Sequence, residues 1–411
     1  MKRSIYSFIA WILLKILRLR YDIQVKNLHL ITKDKKKGIL FLPNHPAEID
    51  PILLLLLLEK EFHPHPLVIE HFYYMKGVRF FMNAVRALPL PNLSFSTNKW
   101  KLKQMEKCLK IVTDSLEKGD NFIIYPSGHL KTEGHEIIGG NSFIHRILET
   151  LPDTRVILIR TSGLWGSQFS RAITGYSPDF WKVFFTGITW ILRNGIFFMP
   201  RRKVEIEFSL TPYDFPYKGT KLALNQALEN WYNRYRDEEG NIVSVETLKL
   251  VSLSCFREVF PKITKVDKAK KTRIEVEVPK EIKDVVYREL SKISEIKISE
   301  IRDDMDLSKD LGLDSLDLAQ IQAFLDQKYA LDGVSMGGIH SVHDLFEMIL
   351  VEGRKKSQTE TKSSRFFWPK EKNRPIVQFP KGETIQEAFL NVCDRMGKFA
   401  SCGDEATPII S

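Results

Sequence analysis

The sequence predicts a layered α/β domain with a mixed sheet, followed by a small all-α helical bundle. Three observations carry this expectation. Short apolar runs with strand character alternate with helical runs from the N-terminus to about residue 258, the pattern of helices layered on a sheet. Near Val259 the composition shifts toward a lysine-rich stretch, Lys265 to Lys271, of linker character. An acidic helical segment follows, and within it Glu300 to Leu350 holds eleven Asp/Glu and three Lys/Arg, a local charge of −8. The whole chain carries +10, so the remainder carries +18. A basic body bearing an acidic module favours attraction to anionic partners, or of one part to the other.

Taken in order, Lys2 and Arg3 precede an apolar run from Ile5 to Leu14 that is too short to span a bilayer. No small-x-small cleavage site follows; Lys15, Arg18 and Arg20 come instead. A basic amphipathic helix lying on an anionic membrane is the preferred reading, and a helix covering the protein's own core is the other. Tyr21 to Val25 then reads as a strand. Gly38 opens Ile39–Leu42, a continuous apolar run of the kind buried on both faces. Asp50 is expected as N-cap, and Pro51 as the first residue, of a leucine-rich helix. Leu67–Ile69 is a strand leading into a helical stretch through Met82, and Asn121–Tyr125 a strand followed by a loop and a helix around Phe143–Leu148. Val156–Arg160 is a further strand, and Lys203–Leu210 alternates as a half-buried one. Phe180 to Met199 is rich in aromatics but interrupted by Lys182 and Arg193, and Arg201-Arg202 follow. It reads as an interfacial hairpin, with a core helix as the alternative.

The domain plan is therefore residues 1–258, a linker over 259–280, the acidic helical domain over 281–352, a second linker over 353–375, and a new segment over 376–411 too short to fold independently. The four cysteines, Cys108, Cys255, Cys393 and Cys402, form no C-x-x-C pair and no disulfide framework, which favours a reducing compartment. There is no zinc-ligand spacing, ribonucleoprotein-type aromatic motif or helix-turn-helix signal, so neither a metal nor nucleic acid is expected. The absence of G-x-S-x-G argues against a hydrolase with a serine nucleophile.

Between the Ile39–Leu42 strand and the leucine helix lies His45, with four residues separating it from Asp50. Polar groups on a tight turn between apolar elements are costly unless they work or satisfy each other. A near-neutral histidine can take the proton of a hydroxyl as that hydroxyl attacks a carbonyl, with the carboxylate fixing the tautomer and stabilising the imidazolium. The attacking alcohol is then itself the nucleophile. Asp50 also has a structural explanation as a cap, whereas no capping or turn rule demands His45.

Asn44-His45-Pro46-Ala47-Glu48-Ile49-Asp50 after an apolar strand resembles the N-H-x4-D block of glycerolipid acyltransferases. Later blocks fall in order over roughly residues 1–250. Arg86-Ala87-Leu88-Pro89-Leu90-Pro91-Asn92 resembles the second, Phe122 to Gly128 the third, F-P-E-G, and Val156–Arg160 sits where the fourth block's strand belongs. The resemblance implies His45 and Asp50 as catalytic, and Asn44, Arg86, Asn92, Ser127 and Gly128 as substrate-binding, with Asn44 shaping the turn or contacting an oxyanion. Two positions depart from the family. Asn92 stands for its arginine and Ser127 for its glutamate, residues associated with a glycerol-phosphate acceptor. The neutral pair points away from glycerol 3-phosphate and simple lysophosphatidate, toward a lysophospholipid with a larger head group or an unrelated acceptor, and Lys76, Arg79, Arg86, His129, Lys131 and Arg146 are candidate replacement phosphate contacts.

Asp314-Ser315-Leu316 resembles the D-S-L block of acyl carrier proteins, in which the serine carries 4'-phosphopantetheine. Leu318, Ile321, Leu325 and Tyr329 recur at helical spacing behind it, and Asp314, Asp317 and Asp326 would form the acidic face that basic partners read. The plainer reading is a serine acting as helix N-cap. The tail from Phe379 resembles the truncated start of an acyl-ACP synthetase-like adenylate-forming domain, without its phosphate loop. Together these resemblances imply transfer of a fatty acyl group from acyl-ACP or acyl-CoA to a lysophospholipid. They also imply a phosphopantetheinyl transferase and a separate acyl-ACP synthetase as partners, and a peripheral or monotopic place on the cytoplasmic face of a membrane. The alternative is a non-catalytic, membrane-bound carrier or scaffold whose Ser315 other enzymes load.

Overall fold

This computed structural model describes residues 2–32, 37–75, 77–91, 99–237, 239–264, 278–294, 296–329 and 339–358. The chain enters through helix α1 (Lys2–Leu17) and strand β1 (Tyr21–Lys26). Strand β2 (Ile39–Pro43) leads through a tight turn into α2 (Asp50–Leu58). Next come β3 (His65–Ile69), the short helices α3 (Glu70–Tyr73) and α4 (Arg79–Ala84), and β4 (Leu88–Leu90). The sequence suggests one helical stretch through Met82; instead Gly77, at φ +83°, lies between α3 and α4, a conformation that glycine adopts without strain. Helix α5 (Lys99–Glu117), β5 (Phe122–Ile123), α6 (Phe143–Thr150), β6 (Arg155–Ser162), α7 (Phe180–Arg193), β7 (Arg202–Leu210) and α8 (Lys221–Tyr232) complete the layered part. A small hairpin of β8 (Tyr235–Arg236) and β9 (Ile242–Val243) forms its own sheet.

The seven-stranded sheet runs β1-β7-β6-β2-β5-β3-β4, with every pair parallel except β6 and β7. The expected mixed sheet is therefore present, with β2 at its centre. Alternate residues of β2 enter opposite layers, as strand geometry requires. Ile39 and Phe41 join the layer of α2 and α7, with Leu53, Leu54 and Phe180. Leu40 and Leu42 join the layer of α5, α6 and α8, with Val112, Ile147 and Leu224. Helices α5 and α8 are additions to the pattern expected from sequence. Only Phe122–Ile123 of the expected Asn121–Tyr125 strand pairs as such. Asn121 instead stitches its start, accepting from the Ile39 amide (2.8 Å) and donating to the Phe62 carbonyl (2.6 Å).

Phe180–Met199 is not a hairpin. It is the single helix α7, capped by Asp179, followed by a turn over 194–198. Phe180 is buried and Phe184 partly so, while Phe185, Leu192, Phe197 and Phe198 are exposed. One face thus lies on the sheet and the other is apolar and open. Helix α1 also leaves Phe8, Trp11 and Ile16 exposed.

Beyond residue 278, helices α9 (Lys280–Ser294), α10 (Ser315–Tyr329) and α11 (Val342–Gln358) surround an apolar cluster of their own that includes Leu290, Leu313, Ile321, Leu325 and Phe346. The helical spacing read from Ile321 and Leu325 is realised in that cluster. Residues 1–350 form one compact unit and 351–411 a second, of which only the end of α11 is described. Helix α11 runs into the stretch expected as the second linker. The lysine-rich run from Lys265 and the tail from Phe379 lie outside the described residues.

Candidate active site

The strands β2, β5 and β6 end together on one edge, where parallel strands commonly place a site. The Pro43 end of β2 delivers Asn44 and His45, and the four residues Pro46 to Ile49 return Asp50 beneath them. Asp50 is not the N-cap expected from sequence. It lies inside the first turn, Ile49 flanks the helix, and no side chain caps it. Its carboxylate is used elsewhere, which removes the capping explanation.

His45 Nδ1 lies 3.1 Å from Asp50 Oδ1, with Asp50 fully buried and the imidazole 17% exposed. An ionised carboxylate only accepts, so Nδ1 carries the proton and Nε2 keeps its lone pair. No described residue hydrogen-bonds Nε2. The Tyr125 hydroxyl donates to the same Asp50 oxygen at 3.3 Å, and its ring lies 4.2 Å from the imidazole, centroid to centroid. The main chain is held as firmly. The His45 amide donates to both oxygens of Glu136 at 3.2 Å, and the His45 carbonyl accepts from the Lys131 amide at 2.8 Å.

Burial disfavours the imidazolium, but the Asp50 carboxylate, joined by Glu136 and Glu48, outweighs it and holds His45 above its ordinary 6.5. Burial raises the Asp50 carboxyl, and His45, Tyr125 and Lys131 pull it part of the way back. Burial also raises Glu48, to about 7, so its titration overlaps that of His45. A general base must be neutral to accept a proton. Activity that uses His45 is therefore expected to fall as pH drops through an apparent midpoint above 6.5, and kcat/KM measured across pH 5–9 checks this. A limb centred below 6 would remove His45 as the titrating base.

Other residues singled out from sequence fare differently. Asn44 contacts no open space. Its amide donates to the Thr161 carbonyl (3.0 Å) and accepts from the Thr161 amide (2.7 Å), tying the end of β2 to β6, so it shapes the turn. Ser127 is buried and donates to Glu136 Oε1 at 2.8 Å. Gly128 supplies backbone freedom at φ +66°, closing the turn after β5. Arg86 is not brought to the site. Leu88 pairs with Leu67 on β3, while His65 and Leu40 both pair with Phe122, so Arg86 lies level with Leu40. It is three strands away, about 14 Å across the sheet, and His45 stands five residues further along β2. Asn92 and Lys76 lie outside the described residues. Lys131 is no phosphate contact: its ammonium is buried against Glu246 (2.6 Å) and the Tyr235 hydroxyl (2.9 Å). Ser315 is the first residue of α10, and its side chain lies outside the described residues.

Glu136, Tyr125 and Glu246 escape the sequence reading. Glu136 follows Ser127 by nine positions in a loop without periodicity, beyond the Phe122–Gly128 block in which serine stands for glutamate, yet it places a carboxylate against the His45 turn. Ser127→Glu, which restores the residue of the resembled block, would set a second carboxylate against the buried Glu136. It is expected to destabilise the fold by at least about 2 kcal/mol, read by urea unfolding. An unchanged midpoint would show that the two carboxylates do not meet.

No curated protein matches the chain. A solved structure that matches is "Crystal Structure of the 1-acyl-sn-glycerophosphate (LPA) acyltransferase, PlsC, from Thermotoga maritima", at 14% identity and a TM-score of 0.38, over 57% of this chain and 83% of that one. Residues 22–158, the segment that holds His45, Asp50, Tyr125, Ser127 and Glu136, match the model of the Acyltransferase family.

Proposed function

We propose that the protein moves a fatty acyl group from a thioester donor, acyl-ACP or acyl-CoA, to the hydroxyl of a lysophospholipid at a membrane surface. The observation that carries the reading is the His45–Asp50 pair, closed on Nδ1 by 3.1 Å and open on Nε2. The acceptor hydroxyl oxygen attacks the thioester carbonyl carbon while His45 Nε2 takes its proton. Asp50, held by Tyr125, keeps the imidazole in that tautomer and stabilises the imidazolium. As the tetrahedral intermediate collapses, the carbon–sulfur bond breaks and the imidazolium returns a proton to the departing thiolate.

A membrane surface is supported by the exposed Phe8 and Trp11 on α1 and Phe185, Leu192, Phe197 and Phe198 on and after α7. Both helices cover the same face of the sheet, through Leu17 and Phe184. Lys15 lies over Trp11 and Arg193 over Trp190, cations that suit an anionic interface. Among the described residues no helix is long and apolar enough to cross a membrane.

The carrier role of Ser315 is supported by the start of α10. Asp314 accepts from the Asp317 amide (2.9 Å) and Asp317 from the Asp314 amide (3.0 Å), a reciprocal capping pair. Asp314 is thus the cap, and the plainer reading of Ser315 as N-cap falls away. Ser315 stands on the first turn of a 15-residue helix, whose amide end favours a phosphodiester. A 4'-phosphopantetheine there supplies a thiol that carries the acyl group as a thioester.

The test offers purified protein a labelled acyl-CoA and, separately, a labelled acyl-ACP, each with vesicles containing lysophospholipids of differing head group. Labelled diacyl product from at least one is expected, and its absence from all would overturn the reading. Separately, mass measurement after treatment with a phosphopantetheinyl transferase checks Ser315. An unmodified wild type beside a modified control carrier would count against the carrier role.

A further inference from the structure

The helical module touches the α/β part through a small set of specific contacts. Lys221, first residue of α8, pairs with Asp317 at 2.7 Å, both side chains mostly buried. The Ser142 hydroxyl donates to Asp314, and the Gly140 amide to the Ser308 hydroxyl at 3.3 Å. The backbones meet as closely as backbones can. A Cβ built on Gly140 would lie 2.2 Å from the Gly312 carbonyl, so only glycine allows the approach. The two carboxylates that cap α10 are thus the ones that face the α/β part, and each receives a donor from it.

This contact lies near the His45 site. Glu136 holds the His45 amide, and Ser142 is six residues further on, a span of at most about 22 Å even for extended chain. A cavity at the junction has Glu136 on one wall and Lys309 of the helical module on another. The sign of the charges agrees: an acidic module meets a lysine of a basic body.

We infer that this contact is a docking site that holds the start of α10 beside His45, so that the module serves the acyltransferase domain of its own chain. The inference rests on the carrier reading of Ser315 given above. Tethering then replaces bulk concentration with an effective one of about millimolar order.

The contact is tested by amide hydrogen exchange on the full chain, without any loading of Ser315. Lys221→Glu puts an acid at a helix N-terminus, where the dipole favours it, so α8 is not weakened. It should raise exchange over residues 139–142 and 306–317 by about tenfold or more, with β2 and β6 unchanged. Gly140→Leu, which collides with Gly312, should act as Lys221→Glu does. Unchanged exchange in Lys221→Glu would overturn the docking site. In protein loaded with an acyl group on Ser315, single-turnover transfer should be independent of dilution, and about tenfold slower in Lys221→Glu. Transfer that slows in proportion to dilution would overturn service within the chain. Failure of wild type to accept phosphopantetheine would end the carrier reading and this inference with it, whereas the exchange result reports on the contact alone.

Discussion

Replacing His45 with alanine is expected to lower acyl transfer by about 10²–10⁴-fold, the usual worth of a positioned general base. Nδ1 is committed to Asp50 at 3.1 Å, the ring is braced by Tyr125, and Nε2 is the nitrogen left for a substrate proton. The loss should fall on kcat, because the base acts in the transition state and contributes little to holding the acceptor. The fold should persist, since the turn is held by main-chain contacts from Glu136 and Lys131 that alanine retains. His45→Ala does leave Asp50 buried without its partner, so the melting temperature is measured alongside. Equal transfer by wild type and His45→Ala would end the catalytic reading and leave the carrier or scaffold reading standing.

Lys131→Met is expected to cost about 3–5 kcal/mol of stability, the cost of stranding one member of a buried ion pair. Lys131 has 0% side-chain exposure and Glu246 8%. Burial acts against the ammonium, yet Glu246 and Tyr235 more than compensate, so it is charged at any ordinary pH. Glu246 also accepts from the Gly163 amide at 2.6 Å, just beyond β6. Methionine would remove the charge that Glu246 answers and keep most of the volume. Adding Glu246→Leu should recover much of the loss, because no buried charge then stands alone. Urea unfolding of the single and double variants reads both values. A single-variant loss below about 1 kcal/mol would show that water reaches Glu246. The Lys131 amide donates to the His45 carbonyl, so the damage should reach activity through the turn.

Much of the site was legible because its signals are local. An apolar run ending in Asn-His, then Asp-Pro opening a leucine helix, states a strand, a turn and a helix within about twenty residues. Chain connectivity alone brings His45 back over Asp50. The capping rule, also local, misled at Asp50, because a carboxylate at a helix start serves a nearby imidazole as readily as the backbone. Arg86 and Lys131 failed for a different reason. Charge and order in the sequence do not say at which end of a sheet a residue emerges, nor whether a buried acid waits for it.

What the order of residues decided was therefore the layered α/β class, the His45–Asp50 pair and the acidic helical module, since each follows from periodicity or spacing within one short segment. Tertiary structure alone decided that Glu136 and Tyr125 converge on His45, that Glu246 claims Lys131, and that Asp314 and Asp317 meet Ser142 and Lys221. Those partners stand 80 to 172 positions apart, and no local preference links them. Their meeting depends on sheet order, register and burial, and the energies that select it exist only once the layers have closed.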